Sequence, residues 1–197
     1  IKHEIPAKYS CNPIDDIQVL SPMKRGIIGS DNYNHVLQQA LNPQTIFLNR
    51  MGRYFHLHDK VMQIRNNYDK HVYNGDVGRI VEIEMESQRL IIDFDGKEVE
   101  YEFLEMDELM LAYAVSIHKY QGSECPCVII PVHTTHFRLL FRNLLYTGIT
   151  RGKKLVVLIG TKKALFIAVN TDNVKKRHTG LQYIVSETLS PKSSLAK

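Results

Sequence analysis

Two short segments gather the side chains whose types and spacing could do chemistry. The first is Ser116-Ile117-His118-Lys119-Tyr120-Gln121-Gly122-Ser123-Glu124, just ahead of the apolar run that starts at Cys127. The second is Leu145-Tyr146-Thr147-Gly148-Ile149-Thr150-Arg151-Gly152-Lys153-Lys154, just ahead of the apolar run Leu155–Gly160. Each places hydroxyl, amide, carboxylate and cationic groups at the ends of elements, where open α/β sheets bind ligands. Gly122 lets backbone approach a ligand closely, with Gln121, Ser123 and Glu124 supplying donors and acceptors around it. Arg151 offers a planar, permanently charged fork suited to phosphate oxygens. The chemistry these groups fit is recognition of phosphate.

Other readings of the same residues are weaker. Ser116, His118 and Glu124 invite comparison with a hydrolase, but no G-x-S-x-G nucleophile elbow occurs. Asp107-Glu108 mimics a magnesium-binding acidic pair, yet it follows Leu104-Glu105-Met106 and not a buried hydrophobic strand. Cys125-Pro126-Cys127 lacks a second Cys or His pair at zinc spacing, so these cysteines read as buried thiols. No metal ligand is assigned.

The elements that must position the two segments follow from periodicity. Ile17–Leu20 reads as a buried strand, and Ser30 as the cap of a helix from Asp31 to about Leu41, with Tyr33, Leu37 and Leu41 in one stripe. From Tyr54 to about Met110 the pattern changes to period two. Val81-Glu82-Ile83-Glu84-Met85-Glu86 and Val99-Glu100-Tyr101-Glu102-Phe103 alternate strictly, Asp95-Gly96 marks a hairpin, and Gly75-Asp76 with Gly78 marks another turn. This predicts a small closed antiparallel barrel with its acids outward. Beyond it, Cys127–Val132 and Leu155–Gly160 read as buried strands, Phe137 to about Thr150 as a helix, and Thr161 as the cap of another. Continuous apolar strands alternating with helices imply a parallel sheet covered on both faces. The tail from Asn170 onward is polar, and its end from Ser190 to Lys197 is expected to fray.

The chain has 197 residues, 44 % hydrophobic and 23 % charged, a globular composition that excludes a disordered or fibrous class. Its formal charge of +4 is unevenly spread. Between Glu82 and Glu108 stand eleven acids and two bases, a local charge of −9 that leaves +13 for the rest. Phe137 to His178 carries ten basic residues against the single acid Asp172. Such a field attracts polyanions. No stretch reaches the ~18 apolar residues of a membrane span, and three cysteines are too few for a secreted framework, so a reducing cytoplasm is expected.

Taken in order, these segments carry a family resemblance. Ser116 to Glu124 resembles motif V of superfamily 1 helicases, and Tyr146 to Lys154 resembles motif VI. Val19-Leu20-Ser21-Pro22-Met23-Lys24-Arg25-Gly26, with Leu37-Gln38-Gln39-Ala40-Leu41-Asn42-Pro43 downstream, resembles the motif IV region of the RecD-like branch. Gly52 to Gly78, with Asn66-Asn67-Tyr68-Asp69-Lys70 and Tyr73-Asn74-Gly75-Asp76-Val77-Gly78, is similar to the entry to that branch's inserted barrel. Tyr120 stands where the family more often has Ser, and Gly152 where it more often has Ala.

The resemblance implies a RecA-like domain 2A in two parts, residues 1–53 and 112–197, interrupted by an SH3-like barrel 2B at 54–111. It implies that Arg151 is an arginine finger on the γ-phosphate of ATP, that Arg25 helps at the same phosphates, and that Gln121, Gly122 and Glu124 lie near the nucleotide. Ser116, His118 and Lys119 would face single-stranded DNA, as would Asn67 and Tyr68 on the barrel, Tyr68 by stacking. ATP and Mg2+ belong to the full-length enzyme in this scheme, and none is expected on this piece alone. No G-x-x-x-x-G-K-[ST] phosphate loop occurs in the chain, and its first residue is Ile1. The expectation is therefore a C-terminal part of a longer 5′→3′ DNA helicase of the exodeoxyribonuclease V alpha subunit family. Its N-terminal domain would be the first partner, with RecB/RecC-like subunits as further candidates. The competing expectation is a non-catalytic module that binds nucleic acid or protein.

Overall fold

A computed structural model describes residues 1–45, 47–50 and 52–172, with Gly180 and Val185; the expected frayed end lies outside the described residues. The chain opens with α1 (Glu4–Tyr9), β1 (Ile17–Ser21) and α2 (Ser30–Leu41). A hairpin, β2 (Phe47–Arg50) and β3 (Arg53–His56), leads into β4 (Lys60–Gln63), β5 (Val77–Glu84), β6 (Arg89–Phe94), β7 (Lys97–Glu102) and β8 (Leu109–Leu111). The remainder is β9 (Ala114–Ser116), β10 (Cys125–Val132), α3 (Arg142–Ile149), β11 (Gly152–Gly160) and α4 (Lys162–Asn170).

Two main sheets result. The first is parallel, in the order β11-β10-β1-β9. Its central strands are buried because both faces are covered: all five residues of β1 are buried, the polar Gln18 and Ser21 included, as are Val128, Ile129 and Ile130 of β10. β11 departs from the expected buried strand. Among the described residues it has a strand neighbour on one side only, and Leu158 and Ile159 remain 37 % and 55 % exposed.

The second sheet is antiparallel, in the order β7-β6-β5-β4-β8, and wraps Phe55, Val61, Ile80, Leu90, Ile92 and Tyr101. Full burial of each large apolar side chain contributes roughly 1.5–3 kcal/mol. Asp95 and Gly96 both have positive φ between β6 and β7, the type I′ hairpin that the sequence signals. Closure is less complete than expected, because no ladder joins β7 to β8 among the described residues; a 3-10 turn, Phe103–Glu108, spans the seam. A bulge interrupts β5 at Val81, where Ile80 pairs with Ile92 but Glu82 with Ile91. Beyond it the expected alternation holds through Glu84, with Ile83 packed on the barrel core and Glu82 and Glu84 exposed; Met85, past the end of the strand, is exposed instead of inward.

Gly78 lies in β5 and not in the preceding turn. A Cβ there would stand 2.7 Å from the carbonyl oxygen of Asp93 and 2.8 Å from side-chain atoms of Ile92 and Phe94. Gly78→Ala is expected to cost about 1–3 kcal/mol through overpacking, read as a lower urea midpoint at unchanged slope; an unchanged midpoint would show that β5 and β6 can separate freely.

The helices correct two more expectations. Ser30 is the first residue of α2, buried, and Gly29 occupies the cap position without a side-chain bond. Residues 137–150 do not form one helix: a 3-10 turn at Thr134–Leu139 breaks at Leu140 before α3 begins. Thr161 does cap α4, its Oγ1 accepting from the Ala164 N–H at 3.2 Å. On α2 the apolar stripe reaches Tyr33 and Leu37, which pack against the Ile17 and Val19 cluster, but the residues it buries fully are polar. Asn34 gives and takes hydrogen bonds with the backbone of Ala114 at 2.8 and 2.7 Å, serving the free edge of β9 as a further strand would.

Two buried ionisable groups join the sheets. Asp59 is fully buried, and its carboxylate accepts from Asn42 Nδ2 (2.8 Å), Tyr113 OH (2.8 Å), Gln38 Nε2 (2.5 Å) and the His56 N–H (2.7 Å). Burial pushes its carboxyl pKa up, against the pull of these four donors. Lys60, the next residue, donates from Nζ to the Ile14 carbonyl at 2.9 Å, tying β4 to the turn before β1.

Candidate functional site

The register of the parallel sheet decides where the chemistry-bearing residues stand. Ser116 ends β9 opposite Ser21, at the carboxyl edge, whereas Gly152 begins β11 opposite Cys125, at the amino edge. The offset along β10 is about six residues, roughly 20 Å at ~3.3 Å each. Ser116 to Glu124 therefore runs from one edge of the sheet to the other, first as a 3-10 turn (Ile117–Tyr120) and then through Gly122 at φ +94°. Ser116 caps this turn, its Oγ accepting from the Lys119 N–H at 3.4 Å. Ile117 and Tyr120 are buried anchors; His118 and Lys119 are exposed.

At the amino edge Arg151 is half-buried and held in place. Its Nε donates to the Thr147 carbonyl (3.2 Å), Nη1 to the Ser123 carbonyl (3.3 Å) and Nη2 to Thr150 Oγ1 (3.1 Å), while its own carbonyl accepts from the Cys125 N–H (3.0 Å). The guanidinium thus ties the end of α3 to the loop before β10. Three of its five N–H groups are so used, leaving two for a ligand. Gln121 and Gly122 are exposed beside it, and Glu124 pairs with Lys153 at 3.2 Å on the rim.

Arg25 does not join this group. It is exposed in the loop after β1, at the carboxyl edge, a loop closed by Ser21 Oγ donating to the Met23 carbonyl (2.8 Å). With Arg151 ahead of β11 at the opposite edge and two strands across, the fold separates the two guanidiniums. The expectation that both reach the same phosphates is corrected. Arg25 shares its edge with Ser116 instead.

Next to that edge lies a groove of about 300 Å³ that sequence reading missed, lined by Lys24, Arg53 and Lys119 with Asp31 opposing them. Arg53 Nη1 donates to the Leu109 carbonyl (2.7 Å) and Lys119 Nζ lies 3.5 Å from Met110 Sδ, so both are anchored on β8. Burial lowers the Lys119 pKa, and the neighbouring Lys24 and Arg53 charges lower it further. With only Asp31 opposing them, three cations crowded together in this way favour an anion in the groove. Residues from α2, β3 and the motif V segment meet here only in three dimensions, so no local signal marks them.

On the barrel, the expected Asn67 and Tyr68 differ in kind. Asn67 is committed to its own loop: Oδ1 accepts from the Lys70 N–H (3.1 Å) and Nδ2 donates to Glu108 (3.2 Å). Tyr68 is 69 % exposed and packs edge-on against Tyr73 at 6.1 Å, a ring open to stacking. Glu108 also accepts from Gln63 (2.9 Å), and Asp107 lies 3.5 Å from Arg65, so that acidic pair serves the barrel seam. Cys125 and Cys127 are buried thiols, and among the described residues no group of three His, Cys, Asp or Glu side chains is placed to hold a metal ion.

Comparison with known proteins converges on the same architecture. The Bacteroides Pif1 helicase in complex with ADP-AlF3 and ssDNA superposes over 97 % of this chain and 48 % of its own, at TM-score 0.57 and 15 % identity. The Candida albicans Pif1 helicase does so over 78 % and 47 %, at TM-score 0.54 and 16 % identity. The fold is the one these structures share: a RecA-like parallel sheet interrupted by a small SH3-like barrel.

Residues 33–94 match the ATP-dependent RecD-like DNA helicase SH3 domain, and residues 111–159 the UvrD-like helicase C-terminal domain. The ATP-dependent RecD2 DNA helicase of Deinococcus radiodurans is 36 % identical over 77 % of this chain and 21 % of its own length. The RecBCD enzyme subunit RecD of Mycolicibacterium smegmatis is 28 % identical over 86 % and 29 %. The chain belongs to the RecD-like helicase family. It spans about a fifth to three tenths of the length of these relatives. Among the described residues no helix is long and apolar enough to cross a membrane.

Proposed function

We propose that this chain is the second motor domain, with its barrel, of an ATP-dependent helicase that moves 5′→3′ along single-stranded DNA in recombination and repair. The observation that carries the reading is the path of Ser116 to Glu124, one continuous segment touching both edges of the sheet. ATP would occupy the amino edge, against a first motor domain that supplies the phosphate loop and the Mg2+ ligands. There Arg151 directs its free N–H groups at the γ-phosphate, where they stabilise charge on the transferred phosphoryl group. Gln121 and Gly122 border the nucleotide, with Glu124 near the ribose. The strand would lie on the carboxyl edge, where Ser116, His118, Lys119 and Arg25 face its phosphates, and Tyr68 extends the contact onto the barrel. Closing one site then moves the other through a segment of only nine residues.

The relative with the higher identity is named a DNA helicase and the other a RecBCD enzyme subunit, so we favour a helicase outside a RecBCD-like complex; copurification with RecB/RecC-like subunits would reverse that preference. The strand assignment is tested by salt. Replacing Ser116 and His118 by Ala in the full-length enzyme is expected to weaken binding to single-stranded DNA. It should also reduce the slope of log K against log salt by about one for each phosphate that the variant no longer engages. Equal slopes for the double variant and the wild type would contradict the assignment.

A further inference from the structure

The β2–β3 hairpin carries aromatic residues on the wrong face for a barrel component. Leu48 and Phe55 point into the barrel core, as alternation requires. The opposite face carries Phe47, Tyr54 and His56. Phe47 and Tyr54 meet edge-on at 5.1 Å, yet they remain 46 % and 42 % exposed. They line a recess of about 590 Å³ against α2, with Pro43, Gln39 and Gln44 at its rim. That size falls in the range of small-ligand pockets.

This recess adjoins the cationic groove, because His35, Gln38 and Tyr54 line both. Gln38 fixes the shared wall, donating to the Tyr54 carbonyl at 2.9 Å and to Asp59 at 2.5 Å. On the groove side of this shared wall stand Lys24, Arg53 and Lys119; on the recess side stand Phe47 and the primary amides of Gln39 and Gln44. The juxtaposition has the polarity of a nucleotide, with anion on one side and flat heteroaromatic ring on the other. An apolar peptide would leave the cations unpaired, and a polyanion without bases would leave the rings exposed.

We propose that this junction is a nucleotide subsite, in which one unstacked base of single-stranded DNA packs on Tyr54 and Phe47 while its flanking phosphate sits on Arg53, Lys24 and Lys119. The inference rests on the strand lying along the carboxyl edge. The subsite would make the hairpin a grip that holds one base per step, with Gln39 and Gln44 meeting the base edge.

The test compares two ligands of equal charge on the 197-residue chain: a thymidine oligomer and an abasic oligomer of the same length. The expected result is that the thymidine oligomer binds about tenfold tighter, as one good aromatic stack allows. Tyr54→Ala should remove that preference without changing abasic binding or the salt slope, and Tyr54→Phe should keep it. Arg53→Gln should weaken both ligands alike and lower the salt slope by about one. Since the sequence has no tryptophan, Tyr54→Trp also places a single reporter in the recess, whose emission should be quenched by the thymidine oligomer alone. Equal affinity of the wild type for both ligands would overturn the subsite while leaving the strand track standing. Failure to bind either would overturn the carboxyl-edge reading itself. A Tyr54→Ala variant that loses both ligands equally, with Tyr54→Phe not restoring the preference, would reduce the ring to a packing role.

Discussion

Arg151→Ala in the full-length enzyme is expected to lower ATP turnover by about a thousandfold or more, the scale set by arginine fingers in other phosphoryl-transfer enzymes, with binding of single-stranded DNA largely retained. The separation follows from position. Arg151 stands at the amino edge of the sheet, and the candidate strand contacts stand at the carboxyl edge. Arg151→Lys should not rescue turnover. An ammonium cannot donate simultaneously to the Thr147 and Ser123 carbonyls while presenting further donors in one plane. Steady-state hydrolysis with saturating oligonucleotide reads the effect, and a urea melt controls for folding. Turnover within a few fold of wild type would remove Arg151 from the reaction.

The largest expected effect on stability is at Asp59. Asp59→Ala strands four buried donors, from Asn42, Tyr113, Gln38 and His56, where α2, the hairpin, β4 and the β8–β9 connection meet. Leaving such groups unpaired should cost about 3–5 kcal/mol, a large share of the ~5–15 kcal/mol that holds a domain together. Asp59→Asn should be nearly as severe, because its amide would point one NH2 group at donors already there. The measurement is the chemical-denaturation midpoint of each variant. A loss under about 1 kcal/mol would mean that water reaches these donors and that the network contributes little.

Much of the fold is legible in the chain because local chemistry dictates it. The apolar run at β10, and that at β1 broken only by Gln18, specify buried parallel strands, Asp95-Gly96 specifies its turn, and Thr161 its cap. The two segments that carry Ser116 and Arg151 are visible as residue types at element ends. What cannot be read there is set by tertiary partners. Ser30, Asn34 and Gln38 look like the solvent side of α2, yet all three are buried, and Asn34 and Gln38 find backbone or carboxylate to bond. The bulge that falls between Ile80 and Glu82, and so sets the phase of the alternation after it, has no local mark. The distance between Arg25 and Arg151, and the meeting of Lys24, Arg53 and Lys119, depend on strand order and register, which no local pattern encodes.

In the proposed function one segment would link nucleotide and strand, and the coupling between the two sites that this predicts is directly measurable. The affinity of the full-length enzyme for single-stranded DNA should be determined with and without a non-hydrolysable ATP analogue, for wild type and for Arg151→Ala. Coupling between sites of this kind is typically worth about 5–150-fold in affinity. The wild type should show a shift of that order, and Arg151→Ala should abolish the shift while keeping its nucleotide-free affinity for DNA. An equal shift in both proteins, or none in the wild type, would contradict the claim that Ser116 to Glu124 transmits between a nucleotide at one edge and a strand at the other.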